Sequence, residues 1–291
     1  MSDDGRHALT VIAFVGSVFS PYYAAARRRG AADPAGHCAI NAVLYGPRSK
    51  RWALTERGAA ALQRSREHLQ IGPSAMHWDG ACLAVDIDEI TVPIPGRLRG
   101  RVRLYPGALT RHQYALDAGG RHLWWPAAPV ARVAVSMQHP ALDWQGHAYF
   151  DSNGGSEPLE NGFRDWDWSR AALGDGGCAI LYDTRALDGL ECRLALRFDG
   201  QGRAEPFAPP SREALPATPI WRIGRGTGAE RGMARVRRTL EDTPFYARSL
   251  LATTLLGEPV TAVHESLSMV RFRQRWVQYL LPFRMPRRAR Y

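Results

Sequence analysis

Two segments of the chain set acidic, imidazole and aromatic residues at alternate positions. One reads Arg121-His122-Leu123-Trp124-Trp125-Pro126, the other Gly146-His147-Ala148-Tyr149-Phe150-Asp151-Ser152-Asn153. Side chains two apart on a strand share a face. His122 and Trp124 therefore point one way and Trp125 the other, while His147, Tyr149 and Asp151 align. If both segments lie in one barrel with these faces inward, His122, Trp124, Tyr149 and Asp151 meet in an apolar cavity suited to an elongated hydrophobic ligand. An Asp among aromatic rings is poorly solvated, so its pKa rises above the usual value of about 3.9 and the acid stays neutral. A neutral carboxylic acid can protonate an alkene carbon. A nearby Trp face stabilises the resulting cation by ~2 kcal/mol where water is excluded. His122 and Tyr149 can orient the acid or position the water that captures the cation. Each residue alone also fits a core polar group, and an Asp before Ser-Asn-Gly-Gly also fits a turn.

Other clusters carry less. Met76-His77-Trp78-Asp79-Gly80 combines His, Trp and Asp, but a turn at Asp79-Gly80 explains it equally well. Asp86, Asp88 and Glu89 are acidic but lack the loop spacing of a cation site, so no metal is expected. Asp165-Trp166-Asp167-Trp168 suits sugar stacking or a strand edge. A Gly-rich phosphate loop, His-Glu-x-x-His and Gly-x-Ser-x-Gly are all missing, so no nucleotide cofactor is supported.

The elements that must position these residues read as strands. Runs at Cys38 to Tyr45, Cys82 to Ile90, Val130 to Val135, Cys178 to Tyr182 and Cys192 to Phe198 are bounded by Gly, Pro, Asp and Asn, which argues an all-β sandwich or barrel. From Arg97 to Leu104 arginines alternate with apolar residues, the pattern of a solvated outer face or of a surface for anionic lipid or nucleic acid. Residues Ala8 to Ala26 are uncharged and precede Arg27-Arg28-Arg29, so a buried first strand over Thr10 to Phe19 competes with a targeting or spanning segment. Loop-like composition from Asp151 to Asp167 places a domain boundary there, and a second Pro-rich stretch runs from Pro206 to Pro219.

Composition sets the outer limits. The 291 residues are 45% hydrophobic and 23% charged, ordinary globular values that exclude disorder, collagen and coiled coil. Cys38, Cys82, Cys178 and Cys192 form no Cys-x-x-Cys pair, so a reducing compartment is expected. The net charge is +10, carried by 37 arginines and one lysine, Lys50. From Val270 onward there are seven arginines and no acid. Met269, Phe272, Trp276 and Leu280 recur at helical spacing between Ser268 and Leu281, with Pro282 closing the run. This predicts a basic amphipathic helix, either an interfacial membrane anchor or a helix packed on its own barrel. Nucleic acid is suggested by charge alone and by no motif.

The residues also resemble a known family. Phe14-Val15-Gly16-Ser17-Val18-Phe19-Ser20-Pro21-Tyr22-Tyr23, His37-Cys38-Ala39-Ile40-Asn41, Trp52-Ala53-Leu54-Thr55-Glu56-Arg57-Gly58 and Gly72-Pro73-Ser74-Ala75-Met76-His77-Trp78 carry the resemblance. So do the two opening segments, Thr239-Leu240-Glu241-Asp242-Thr243-Pro244-Phe245-Tyr246 and Val263-His264-Glu265-Ser266-Leu267. Together they resemble the acyclic carotenoid 1,2-hydratases, or hydroxyneurosporene synthases, of photosynthetic bacteria. The resemblance implies an all-β fold of two lipocalin-like β-barrel halves, residues 1–155 carrying the site and residues 156–291 ending in the basic amphipathic helix. It implies addition of water to the terminal C1=C2 double bond of acyclic carotenes such as neurosporene and lycopene, with no cofactor and no metal. It assigns Asp151 as the acid, with His122, Trp124 and Tyr149 as partners, and takes the uncharged N-terminal run as part of the fold. The roles of Glu241, Asp242, His264 and Glu265 stay open. A bilayer-borne substrate would put the protein on the cytoplasmic face of the bacterial inner or photosynthetic membrane, its basic helix on anionic lipid. A non-catalytic lipocalin-like carrier of carotenoid or other lipid is the alternative.

Overall fold

Strand follows strand with short turns, because β-branched and aromatic runs alternate with Gly, Asp and Pro. The computed structural model describes residues 1–30 and 32–288. Four antiparallel-dominated sheets result. In the first, Ala8–Val15, Cys38–Tyr45 and Lys50–Arg57 are joined by a parallel edge strand, Arg287–Arg288. The second runs in the order Ala141–Gly155, His122–His139, Arg97–Pro106, Leu83–Ile90, Ser74–Trp78, His68–Ile71, Leu62–Arg64. The third runs Ala204–Pro206, Glu191–Phe198, Cys178–Ala186, Phe163–Ala172, Glu258–Ser268, Tyr246–Leu255, Arg235–Asp242. Arg212–Leu215 and Arg225–Gly228 make a two-stranded ribbon. Each sheet is an open path, so among the described residues the closed barrel expected from the sequence does not form.

Residues 1–106, 131–148 and 278–291 cluster as one compact unit, and 107–130 with 149–277 as a second. The first is cored by Val85, Ile87, Leu98, Val102, Val133 and Met137, with Ala42 and Leu44 of the first sheet. The second is cored by Ala171, Leu181, Leu215, Leu251, Leu255 and Ala262. Each such fully buried Leu or Ile contributes roughly 1.5–3 kcal/mol.

The Arg97–Pro106 strand alternates strictly, its arginines exposed and Leu98, Val102 and Leu104 buried. The arginines face acids: Arg97 chelates Asp88 at 2.8 and 2.7 Å, and Arg101 chelates Asp86 at 2.5 and 2.9 Å. Glu89 turns the other way and is buried with Arg57 (2.6 Å) and Ser74 (2.8 Å). At the end of the chain Arg287 pairs with buried Glu56 and donates to Gly36 O at 3.0 Å, while Met285 is buried against Ala39 and Leu54.

Three expectations are corrected. The first strand stops at Val15, where Gly16 takes φ 75°, and does not run on to Phe19, and Ser20-Pro21 opens a helix, Pro21–Arg28. Ser20 accepts from Tyr23 N at 3.0 Å, an N-cap with Pro at the first helical position. The stretch Asp151 to Asp167 is not a loop but the end of one strand, a short helix Leu159–Gly162 and the start of the next strand. The C-terminal helix is broken into Met269–Phe272 and Arg275–Leu280. Met269, Phe272 and Val277 are buried, while Trp276 and Leu280 are exposed, so the expected apolar face does not all turn inward. Of the tail's arginines, Arg290 lies outside the described residues.

Candidate active site

Asp151 lies on Ala141–Gly155 and Trp124 on His122–His139. Tyr149, two residues before Asp151, shares its face. The Tyr149 hydroxyl donates to Asp151 Oδ2 at 3.0 Å, and Trp124 Nε1 donates to the same oxygen at 3.0 Å. Trp124 Nε1 also lies 3.0 Å from the Tyr149 oxygen, so the three groups form a closed triangle. Trp124 is fully buried. It meets the acid with its N–H edge, while its ring packs on Tyr182 (5.4 Å, 74°) and Tyr114 (5.5 Å). Tyr149 stacks on Trp168 at 5.4 Å, with the Arg170 guanidinium 5.6 Å from its ring.

Burial pushes the Asp151 carboxyl up to about 6, against hydrogen bonds from Trp124, Tyr149 and Asn153, and the negative charge of Glu265 adds to the rise. Burial and the neighbouring Asp151 charge push the Tyr149 hydroxyl well above its ordinary value, so it stays protonated. With Oδ2 taken by two donors, the acidic proton belongs on Oδ1. The arrangement holds the carboxyl by Oδ2 and raises its affinity for a proton, and the protonated form can give that proton away from Oδ1.

His122 is brought near in sequence but engaged elsewhere. Its Nδ1 lies 3.0 Å from Asp117 Oδ2, and its ring packs on Phe163 at 4.5 Å. Asp117 also accepts from the backbone N of His122 at 2.8 Å and of Arg121 at 3.2 Å. Burial works against its charge, but these donors outweigh it and hold the carboxyl below its usual range. His122 Nε2 is buried and meets no hydrogen-bond partner among the described residues. Gly155 and Gly162 make room for the ring: a Cβ on them would sit 2.9 and 2.7 Å from it. No hydrogen bond joins His122 to Asp151 among the described residues. His147 does not join the site; its exposed side chain lies 3.7 Å from Asp3. Trp125 donates to Thr110 O at 3.0 Å.

Asp117, Trp168 and Tyr182 were not singled out as site residues by sequence, because a tight turn brings in Asp117 and sheet register the other two. Trp168 and Tyr182 are directly opposed on neighbouring strands. The remaining clusters are structural. Asp79 accepts from the amides of Ala81 and Cys82 as a turn residue. Asp167 is buried, paired with Arg212 and bonded by Ser266, while His264 donates to Gly226 O at 2.8 Å. The alternation at 165–168 sends Asp167 and Trp168 to opposite faces, so no acid–indole sugar platform forms. Asp242 accepts from the amides of Ile220 (2.7 Å) and Trp221 (3.2 Å). All four cysteines are free.

Comparison with known proteins identifies the family. The family model for the carotenoid hydratase CrtC matches residues 11–291. An acyclic carotenoid 1,2-hydratase of Thiocapsa roseopersicina is 57% identical over 99% of this chain and 71% of its own length. One of Rubrivivax gelatinosus is 53% identical over 99% of this chain and 72% of its own length. One of Cereibacter sphaeroides is 40% identical over 96% of this chain and 98% of its own length. A solved structure assigned as AttH from Nitrosomonas europaea superposes with a TM-score of 0.57 over 80% of each chain at 15% identity, which is a likeness of fold. With that match over nearly its whole length, the chain belongs to the carotenoid hydratase CrtC family.

Proposed function

We propose that this protein is a hydratase that adds water to the terminal C1=C2 double bond of acyclic carotenes such as neurosporene and lycopene. One observation carries the reading: a buried carboxyl whose pKa is pushed up to about 6, gripped at Oδ2 by Trp124 and Tyr149. Asp151 Oδ1–H delivers its proton to C2, the less substituted carbon. Positive charge develops at C1, which bears two methyl groups, because a tertiary cation is the most stable available. Water captures C1 and loses a proton. The sum is redox-neutral, so no cofactor is called for. Trp124 and Tyr149 orient the acid, and the aromatic wall of Tyr114, Trp168 and Tyr182 keeps bulk water away. His122, locked by Asp117, completes the assigned set.

The related names, at 40–57% identity, support the substrate class. The division into two lipocalin-like halves at residue 155 is part of the same proposal. The fold likeness supports it. Docking on the cytoplasmic face of the membrane rests on the bilayer-soluble substrate and on the exposed Trp276, Tyr279, Leu280 and Phe283 among arginines.

Purified protein incubated with lycopene in detergent is expected to give a product heavier by one water. Asp151→Asn is expected to cut hydration by on the order of 1000-fold or more while still binding lycopene. Normal hydration by that variant removes Asp151 from the mechanism, and binding without hydration in the unaltered protein makes it a carrier.

A further inference from the structure

A row of directly opposed residues crosses the third sheet beside the acid. Tyr182 on Cys178–Ala186 faces Trp168 on Phe163–Ala172, Trp168 faces Glu265 on Glu258–Ser268, and Glu265 faces Arg248 on Tyr246–Leu255. Directly opposed residues of an antiparallel pair share one face, their Cβ atoms about 5 Å apart. That face is the one against the acid, because Tyr182 packs on Trp124 and Trp168 on Tyr149. Its neighbours in sequence, His264 and Ser266, turn to the opposite face and are buried around Asp167.

Glu265, like Asp151, is held by one oxygen. Arg248 Nε and Nη2 both reach Glu265 Oε1, at 2.8 and 2.7 Å. Arg248 is buried, so its pairing with the Glu265 carboxylate is weakly screened. One oxygen is tied and Oε2 is left for a further donor. Beside it, Trp168 Nε1 is buried and meets no acceptor among the described residues. An anionic acceptor and an unpaired donor side by side suit a molecule that both gives and takes a hydrogen bond, as water does.

We propose that Glu265 is the second acid–base group of this site, accepting the proton of the water that captures the cation. The inference rests on the hydratase reading above. Asp151 gives its Oδ1 proton to C2, and the cation forms at C1. The water oxygen bonds to C1 as one of its O–H bonds breaks and that proton passes to Glu265 Oε2. Transfer of the proton from Glu265 to Asp151 restores both groups, and one water has been added with no oxidation or reduction. Two carboxyls of unlike surroundings thereby hold the two roles, neutral donor and ionised acceptor.

The test uses the full chain and lycopene in detergent made up in deuterium oxide. It reads hydrated product and, separately, deuterium entering the recovered lycopene by protonation at C2 and return. Glu265→Gln is expected to lower hydration by on the order of 100-fold while deuterium entry stays within about threefold of the unaltered protein. The charged and titratable groups facing Asp151 are Tyr149, Tyr182, Arg170, Glu265 and Arg248, and only Glu265 loses charge in the variant. The upper pH limb of deuterium entry should therefore move to lower pH. Glu265→Asp, which keeps a carboxylate for Arg248, should recover part of the hydration. Hydration by Glu265→Gln within about threefold of normal overturns the role. So does a parallel loss of deuterium entry and hydration, or an Asp variant no better than the Gln variant. Failure of the unaltered protein to add water, or full activity in Asp151→Asn, instead removes the hydratase reading and this inference with it.

Discussion

A carboxyl that must stay neutral to work gives the protein a pH signature. Asp151 takes up its proton at about 6 in the fold and at 3.8 without it. Hydration should therefore be level below pH 6 and fall tenfold per pH unit above it, read from initial rates across pH 5 to 9. The same difference bears on stability. The folded chain binds the proton more tightly, so the contribution of Asp151 is intact below pH 4 and is lost as pH rises through 6, about 3 kcal/mol in all. Asp151→Asn should be more stable than the unaltered protein at pH 8 by up to that amount in urea unfolding, with the gap closing below pH 4. Equal midpoints at pH 8 would mean the carboxyl is well solvated. The Asp151–Tyr149–Trp124 triangle was legible in the sequence because period-two alternation puts i and i+2 on one face. The grip of Asp117 on His122 was not, because it depends on a tight turn through Gly119 and Gly120 that no periodicity reports.

At the scale of elements, strand existence was more legible than strand ends. Cys38–Tyr45 matches its expected limits, since Gly46-Pro47 must interrupt the chain. Within Phe163–Ala172 the alternation of acid and indole was legible as a strand edge, but its placement inside the sheet was not, because the acid Asp167 is buried on partners, Arg212 and Ser266, that come from distant strands. Asn153, Gly154 and Gly155 read as a turn yet extend a strand, and the reason is local. Gly155 and, after it, Gly162 leave the space that the His122 ring occupies. Gly162→Ala should displace that ring from Asp117 and cost about 1–3 kcal/mol in urea unfolding, with hydration reduced. Unchanged stability would mean the short helix Leu159–Gly162 shifts freely. The broken C-terminal helix shows how tertiary packing overrides period: Phe272 docks on Phe245 at 5.1 Å, and Val277 takes the inward place expected of Trp276.

At the scale of the whole molecule, the +10 charge was the plainest feature of the sequence and the least specific. Pairs such as Arg97–Asp88 and Arg101–Asp86 already cancel within that sum, and at exposed positions they contribute only about 0–1 kcal/mol each. What remains distinctive is the exposed aromatic and leucine set at 276–283 beside Arg273 and Arg275. Phe283→Ala with Tyr279→Ala should weaken sedimentation with anionic vesicles by on the order of tenfold or more, and added salt should weaken it further. Binding unaffected by the double change would place the docking face elsewhere.

The anchorage of Met285 and Arg287 has a consequence for how such docking would proceed. Tyr279 and Phe283 do not hang on a loose arm. Just downstream, the polypeptide is stitched back into a sheet through a buried glutamate. Lipid contact would then find its footing ready-made, with little disorder left to surrender on landing. Helical ellipticity should accordingly stay flat as vesicles are titrated in, whereas a tail that coils up only on contact would make it grow.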